Sequence, residues 1–364
     1  MNIALLSYST KPRGGVVHTL ALAEALTAAG QHVTVWTLGR GGDSGFFREV
    51  DPAVRQCIVP FPEILGESVG ERILRSIAVL REAFAPASTS YDIVHAQDCI
   101  SANAAVRCIR TVHHLDRFTT PELAACHERA LTTPYAHICV SSAVADELAD
   151  GWGIKASVIP NGVAYERFSA TDPQARARWR ERLGRYVLTV GGIEPRKGSL
   201  DLLEAYALLR SRHPDVQLVI AGGETLSDYR DYRARWEARA AELGVKPLVL
   251  GPVPDDDLPP LVAAADAFAF PSVKEGFGLA AMEALAADVP LVVRDLPVLR
   301  EVFSPAARFA ATPQDLATEL GHALTADDPA RQRAGRKVAT RHTWTAAAAQ
   351  HIAFYRELGA TGTR

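Results

Sequence analysis

The residues best suited to chemistry lie in PSVKEGFGLAAMEALAADVP, residues 271–290. An apolar run ending at Pro271 leads into a glycine-bearing loop and then into a helical pattern starting near Gly278. Glu275 falls in the loop and Glu283 about a turn and a half inside the helix. Gly276 and Gly278 permit close backbone approach and unusual dihedrals. The helix N-terminus offers unpaired N–H groups and positive potential, which suit a phosphate. Carboxylates accept hydrogen bonds from sugar hydroxyls, and such charge-assisted bonds are worth about 1.5–3 kcal/mol. One loop can therefore hold a phosphate and two sugars. On physical grounds alone, a plain strand–helix connection with surface glutamates fits the pattern equally well.

Other clusters carry related chemistry. In VGGIEPRKG, residues 190–198, Arg196 and Lys197 stand where the chain turns from a strand into a helix. Two cations beside a glycine turn would neutralise a diphosphate. Gly14 and Gly15 sit between the first apolar run and an apolar-periodic helix, where a ligand could approach the backbone. They do not form a GxGxxG fingerprint, so nothing favours a nicotinamide cofactor. His18 reads as an ordinary helix residue. RTVHHLD, residues 110–116, places His113 and His114 at a strand end, the edge that faces the ligand crevice in open α/β sheets. His95, at another strand end, reads as structural. The formal DxD at Asp255 and Asp257 reads as the acidic start of a helix rather than as a metal site. AGGET, residues 221–225, is a further strand-end glycine turn that could border a nucleotide.

The elements that must hold these groups alternate. Strands are expected at 2–7, 32–38, 55–60, 92–96, 109–114, 137–141 and 156–160, then at 186–191, 216–222, 247–251, 267–271 and 290–294. Helices are expected at 15–29, 70–84, 99–106, 119–131 and 142–150, the last capped by Ser142. They continue at 198–212, 228–243, 257–265, 278–287 and 313–325. Such alternation predicts two Rossmann-like α/β units around parallel sheets, and 364 residues suit about two domains. The boundary is expected near 161–185, giving 1–165 with a returning C-terminal helix (343–364), and 166–342. The final helix, with Trp344, Ile352, Phe354, Tyr355 and Leu358, could pack on either domain. ARARWRERLG carries arginines from Arg176 to Arg185 and reads as a solvated linker helix rather than an anion site.

Composition narrows the function. With 39 basic and 42 acidic residues, the net charge is −3. That gives no support to a dedicated nucleic-acid binder. Five cysteines, Cys57, Cys99, Cys108, Cys126 and Cys139, form no CxxC pair and read as reduced thiols. No signal-peptide pattern and no transmembrane stretch is recognised, so a cytoplasmic location is expected. The helix candidate at 68–84, with Arg72, Arg75 and Arg81, allows weak peripheral contact with an anionic membrane but reads better as core-facing.

These motifs, in this order, resemble the retaining glycosyltransferases of family 4, of GT-B architecture. The resemblance runs essentially over the whole chain. It implies that Glu275 contacts the donor sugar, that Glu283 holds the nucleotide ribose, and that the backbone at Gly276, Phe277, Gly278 and Leu279 lies against sugar and diphosphate. It assigns Arg196 and Lys197 to the diphosphate, Gly14 and Gly15 to the donor phosphate from the other domain, and backbone near Val253 to the base. It places a histidine near the reacting carbon, and the threonine-x-histidine spacing from Thr111 selects His113. The expected activity is transfer of a hexose-type sugar, with retention, from a nucleotide diphosphate sugar (UDP by default) to an unknown small-molecule, lipid or glycan acceptor. The site is expected in a cleft between the domains, with no metal and no other cofactor. Rival readings are a sugar-nucleotide epimerase, a phosphorylase of similar fold, and a non-catalytic nucleotide-sugar binding protein.

Overall fold

The structure, a computed structural model, describes residues 1–115, 118, 120–223 and 229–361. The chain forms two compact units, Met1–Gly162 with the segment from Trp344 onward, and Val163–Thr343.

The first unit holds a parallel sheet of β1 (Asn2–Leu6), β2 (His32–Arg40), β3 (Arg55–Phe61), β4 (Ile93–Ala96), β5 (Ile109–Val112), β6 (Ala136–Cys139) and β7 (Ser157–Val158). Its order is β3-β2-β1-β4-β5-β6-β7. The second unit holds β8 (Arg185–Gly191), β9 (Val216–Gly222), β10 (Leu248–Gly251), β11 (Ala267–Phe270), β12 (Leu291–Arg294) and β13 (Arg308–Ala310), in the order β10-β9-β8-β11-β12-β13. All the strand pairings are parallel. Strand order reverses between β1 and β4 in one sheet and between β8 and β11 in the other. In open α/β sheets, ligands bind outside the carboxyl ends of the strands at such reversals.

Parallel strands must be covered on both faces, which explains their nearly continuous apolar runs. Ile3, Leu5, Val33, Val35, Ile109 and Ile138 pack beneath Leu22 and Leu26 of the helix Gly14–Ala28. The same core takes Trp344, Ile352, Phe354, Tyr355 and Leu358, so the final helix, Trp344–Thr361, belongs to the first unit. The second core is built around Val187, Leu203, Leu218, Ile220, Val292 and Leu316. The helix Val69–Phe84 starts with a full capping box between Ser68 and Glu71 and buries Ile73, Ile77 and Leu80, so its apolar face is a core face.

Several local expectations need correction. Ser141, not Ser142, caps the helix Ser142–Trp152, its Oγ accepting from the Val144 N–H at 3.4 Å. The structure adds β13 and the helices Tyr165–Ser169, Pro297–Phe303 and Pro329–Arg341. The arginine-rich helix Pro173–Leu183 is partly a structural clamp. Arg180 donates to the Ala264 carbonyl at 3.1 Å and forms a two-pronged pair with Asp266. Part of the expected helices 119–131 and 228–243 falls at Thr119 and Asp228, outside the described residues, as do Glu224 and Thr225 of the AGGET turn and Asp116 of RTVHHLD.

Candidate active site

In the second unit, two loops meet where the strand order reverses. The loop after β8 tightens into a 3-10 turn at Pro195–Lys197 and passes through Gly198 in the left-handed region, φ +63°. A Cβ on Gly198 would stand 2.2 Å from the Pro271 carbonyl oxygen, so both dihedral and contact demand glycine. The loop after β11 is tied to it by the Val273 N–H, which donates to the Arg196 carbonyl at 2.9 Å. Buried Arg294, at the end of β12, braces the junction. It donates to the Pro271 carbonyl at 3.2 and 3.1 Å and to the Ala311 carbonyl at 2.8 Å, and it pairs with Asp201. Gly198 and Arg294 support the site but are absent from the sequence-level candidates. The glycine directly after the Arg-Lys pair was the available signal.

These braces bring Glu275, Arg196 and Lys197 together. Glu275 Oε2 lies 3.2 Å from Lys197 Nζ and 3.5 Å from Arg196 Nη1. The Glu275 side chain is only 13% exposed, so water screens the pairing weakly. Lys197 Nζ also sits 5.1 Å from the centre of the Phe270 ring. Gly276 is buried, and its N–H donates to Glu275 Oε1 at 3.4 Å. Gly278 takes φ +97° as the residue before the helix Leu279–Ala286, and a Cβ there would press within 3.0 Å of the Phe303 ring. The first-turn N–H groups beyond it have no helical acceptor. Phe277 is buried, its ring 5.6 Å from that of His342.

Glu283 lies partly buried on that helix. Burial pushes its carboxyl up to about 7; the charge of Arg167 opposes the shift and that of Asp255 adds to it. Asp255 itself pairs with Arg167 at 2.7 Å. Residues Asp255–Asp257 form a 3-10 turn leading into the helix Leu258–Ala263, but no side-chain cap bond is made at either start. The acidic run thus begins a helix, as expected, while the partner of Asp255 is an arginine rather than helix N–H groups. Among the described residues, no cluster of His, Cys, Asp or Glu could hold a metal ion. Val253 is partly exposed in the loop after β10.

In the first unit, Gly14 and Gly15 open the helix after β1. Gly14 faces open space, whereas a Cβ on Gly15 would lie 3.8 Å from His113 Cδ2. His113 follows β5 and its ring meets that of His18 edge-on, centroids 4.7 Å apart. His18 is therefore more than an ordinary helix residue. It is 1% exposed, its Nδ1 is 2.9 Å from Asn161 Oδ1, and its ring packs 5.4 Å from that of Trp344. The Nε2 atoms of His18 and His113 are buried with no hydrogen-bond partner among the described residues. Behind them, His95 bonds Tyr355 Oη at 2.7 Å and Thr111 Oγ1 at 2.6 Å, and His351 Nδ1 bonds the Ala347 carbonyl at 2.8 Å. Burial drives His18, His95 and His113 well below the ordinary imidazole range and His351 to about 4. His113 is accordingly a neutral hydrogen-bonding group, not a cation. His114, the alternative in register, is partly exposed.

Comparison with known proteins agrees with this architecture. Residues 12–167 match the family described as Glycosyltransferase Family 4, and residues 174–340 match Glycosyl transferases group 1. A D-inositol 3-phosphate glycosyltransferase of Corynebacterium jeikeium is 27% identical over 100% of this chain and 98% of its own. One of Salinispora tropica is 30% identical over 80% of this chain and 70% of its own. The solved structure of HepE from Anabaena in complex with UDP-glucose superposes with a TM-score of 0.76 at 19% identity, covering 99% of this chain and 100% of that one. With both its sheets and both its sequence halves accounted for, the chain belongs to the family 4 glycosyltransferases and has the two Rossmann-like units of the GT-B fold.

Proposed function

We propose that this glycosyltransferase moves a hexose-type sugar, with retention at the anomeric carbon, from a nucleoside diphosphate sugar to a hydroxyl-rich acceptor. The observation carrying this reading is the convergence of Arg196, Lys197 and Glu275 at the strand reversal of the second sheet. A departing diphosphate needs preorganised positive charge, and the two cations with the helix N-terminus at Leu279 supply it. Uridine as the base is supported by the UDP-glucose in the HepE complex. A polyol acceptor is supported by the inositol phosphate in the names of the relatives.

In this reading the incoming diphosphate takes over Arg196 and Lys197, releasing Glu275 to accept from the sugar hydroxyls. Glu283 accepts from the ribose hydroxyls, Gly276–Leu279 and Gly14–Gly15 give backbone contact to sugar and phosphates, and Val253 borders the base. His113 serves the transferred sugar as a neutral hydrogen-bonding group. Leaving-group charge is met by protein cations alone, so transfer proceeds without a divalent metal.

The test is incubation of UDP-glucose and GDP-mannose with myo-inositol 3-phosphate, with myo-inositol, and alone, followed by proton NMR of fresh product. Expected is an acceptor-dependent product of unchanged anomeric configuration, at initial rates that EDTA leaves unaltered. An inverted product, a donor converted without acceptor into its epimer, or activity lost in EDTA and restored by magnesium would overturn the corresponding element.

A further inference from the structure

The carboxyl edge of the first sheet holds a second set of polar groups that the proposed donor chemistry does not use. Arg110 lies on β5 opposite Ala96 of β4 and is 6% exposed. Its Nε and Nη1 are buried with no hydrogen-bond partner among the described residues. Gln97, 1% exposed and the first residue beyond β4, has both amide atoms in the same condition. So does Asp98 Oδ2, although Asp98 Oδ1 accepts from the Ser101 N–H at 2.8 Å. A buried polar group without a partner destabilises the fold, and a charge does so more. Five such atoms fall on three neighbouring residues at one edge of the sheet.

Their surroundings carry a definite sign. Arg110 acts on Asp98 as a counter-charge, and Arg40 also stands within electrostatic range of it. Arg13 and Arg72 lie close enough to Arg40 to disfavour its charge. Arg40 is fixed by bonds to the Tyr8 carbonyl at 3.0 Å and Ser76 Oγ at 2.9 Å, with its guanidinium 5.0 Å from the Tyr8 ring centre. Arg110 and Arg40 thus act on Asp98 at the carboxyl edge of the sheet, Arg13 and Arg72 stand near Arg40, Glu67 lies within electrostatic range of Arg40 and Arg72, and Nε and Nη1 of Arg110 are buried without an acceptor among the described residues.

We propose that this edge is an anion-reading acceptor subsite: Arg110 pairs with a phosphate or carboxylate on the acceptor, and the Gln97 amide satisfies the neutral oxygens beside it. The proposal rests on the reading that the first unit receives the acceptor. Guanidinium groups recognise phosphate and carboxylate by paired, charge-assisted bonds. Loss of such a bond, at about 1.5–3 kcal/mol, corresponds to roughly ten- to hundredfold in affinity.

The experiment uses the full chain and calorimetric titration. UDP-glucose is titrated first, as a check of the donor reading. Matched probes follow: myo-inositol with inositol 3-phosphate, glucose with glucose 6-phosphate and with glucuronate, and phosphatidylcholine vesicles with and without phosphatidylinositol. Expected is a preference of about tenfold or more for anionic probes over neutral ones, abolished in Arg110→Gln, reduced in Gln97→Met, and reduced in Arg110→Lys, which keeps the charge but loses the paired bonds. The strongest probe in the wild type separates free phosphate, carboxylate and lipid headgroup as its source. Equal binding of neutral and anionic probes overturns the subsite, as does an undiminished preference in Arg110→Gln. If Arg110→Gln fails to fold, an undiminished preference in both Gln97→Met and Arg110→Lys overturns it instead. Failure of UDP-glucose binding, with anion preference intact, would count against the donor reading alone.

Discussion

The two sheets share one winding but treat charge at their reversals differently. In the second unit, Arg196 and Lys197 face a carboxylate from the neighbouring loop, and all three side chains keep some exposure. In the first, Nε and Nη1 of Arg110 and the Gln97 amide are buried without hydrogen-bond partners among the described residues, and His113 beside them is held neutral. A self-neutralised, partly wet cation pair suits an anion that must arrive, react and leave. Buried unsatisfied groups suit selection, because a ligand lacking the right atoms leaves their cost uncompensated. On the readings proposed above, the same topology carries an exchange device in one half and a reading device in the other.

The largest effect should come from the cations themselves. Arg196→Ala and Lys197→Ala should each lower kcat/KM by about 10²–10³-fold, the range seen when a preorganised charge-stabilising donor is lost. Steady-state kinetics on the purified variants checks this, and a loss under about threefold would remove the exchange device from the comparison.

Glu275→Gln should split two quantities that usually move together. Turnover should fall about 10²-fold, because the carboxylate no longer positions the sugar. Affinity for UDP alone should rise by roughly three- to tenfold, because two cations lose their internal competitor. Weaker UDP binding in this variant would mean that the Glu275 pairing only braces the loop.

His113→Ala should lower kcat by about 10–100-fold, while His114→Ala stays within about threefold. Burial keeps His113 neutral, so the wild-type kcat profile should show no histidine step near pH ~6.5. Such a step, or a reversed ranking of the two variants, would put the working imidazole elsewhere.

The mildest effects concern Glu283. With its carboxyl pushed up to about 7 by burial, it loses acceptor capacity as pH falls. UDP affinity should drop below about pH 7 by at most about tenfold per unit and level off near that of Glu283→Gln. The raised value has a stability sign as well. The folded form holds this proton more tightly than the unfolded chain, so stability declines as pH rises from the ordinary carboxyl range through about 7. Glu283→Gln should therefore raise Tm slightly at about pH 8, on the order of 1 kcal/mol in stability. Calorimetric melts of wild type and Glu283→Gln at about pH 6 and 8 check the sign, and a variant Tm below that of the wild type at the higher pH would contradict it.

The fold was legible where burial is two-sided. Runs such as NIALL and VQLVIAG have no polar face to hide their strand character. β13 escapes because RFA is three residues with two only partly buried, and Pro329–Arg341 escapes because it buries only Gly335 and Ala339. At the site, Glu275, Arg196 and Lys197 were legible as charged residues in glycine-bearing loops beyond strand ends. Arg110 was not, because an arginine within a strand reads as solvent-facing until the helices over both faces are known. His18 was equally hidden, since its significance comes from contacts with His113, Asn161 and Trp344 that sequence spacing does not encode.

The histidines behind β4 and β5 also set the conditions under which the first unit can exist. His18, His95 and His351 are each at most 1% exposed and kept neutral by burial. An unfolded chain protonates them near pH ~6.5, so unfolding of this unit consumes protons. Its stability is full above that pH and is lost as pH falls through it, by about 1.4 kcal/mol per pH unit for each imidazole. His18 and His95 contact Trp344 and Tyr355 of the final helix, and His351 lies on that helix itself. Mild acid should therefore loosen the end of the chain from the beginning of it, well before carboxylates in the ordinary range begin to titrate.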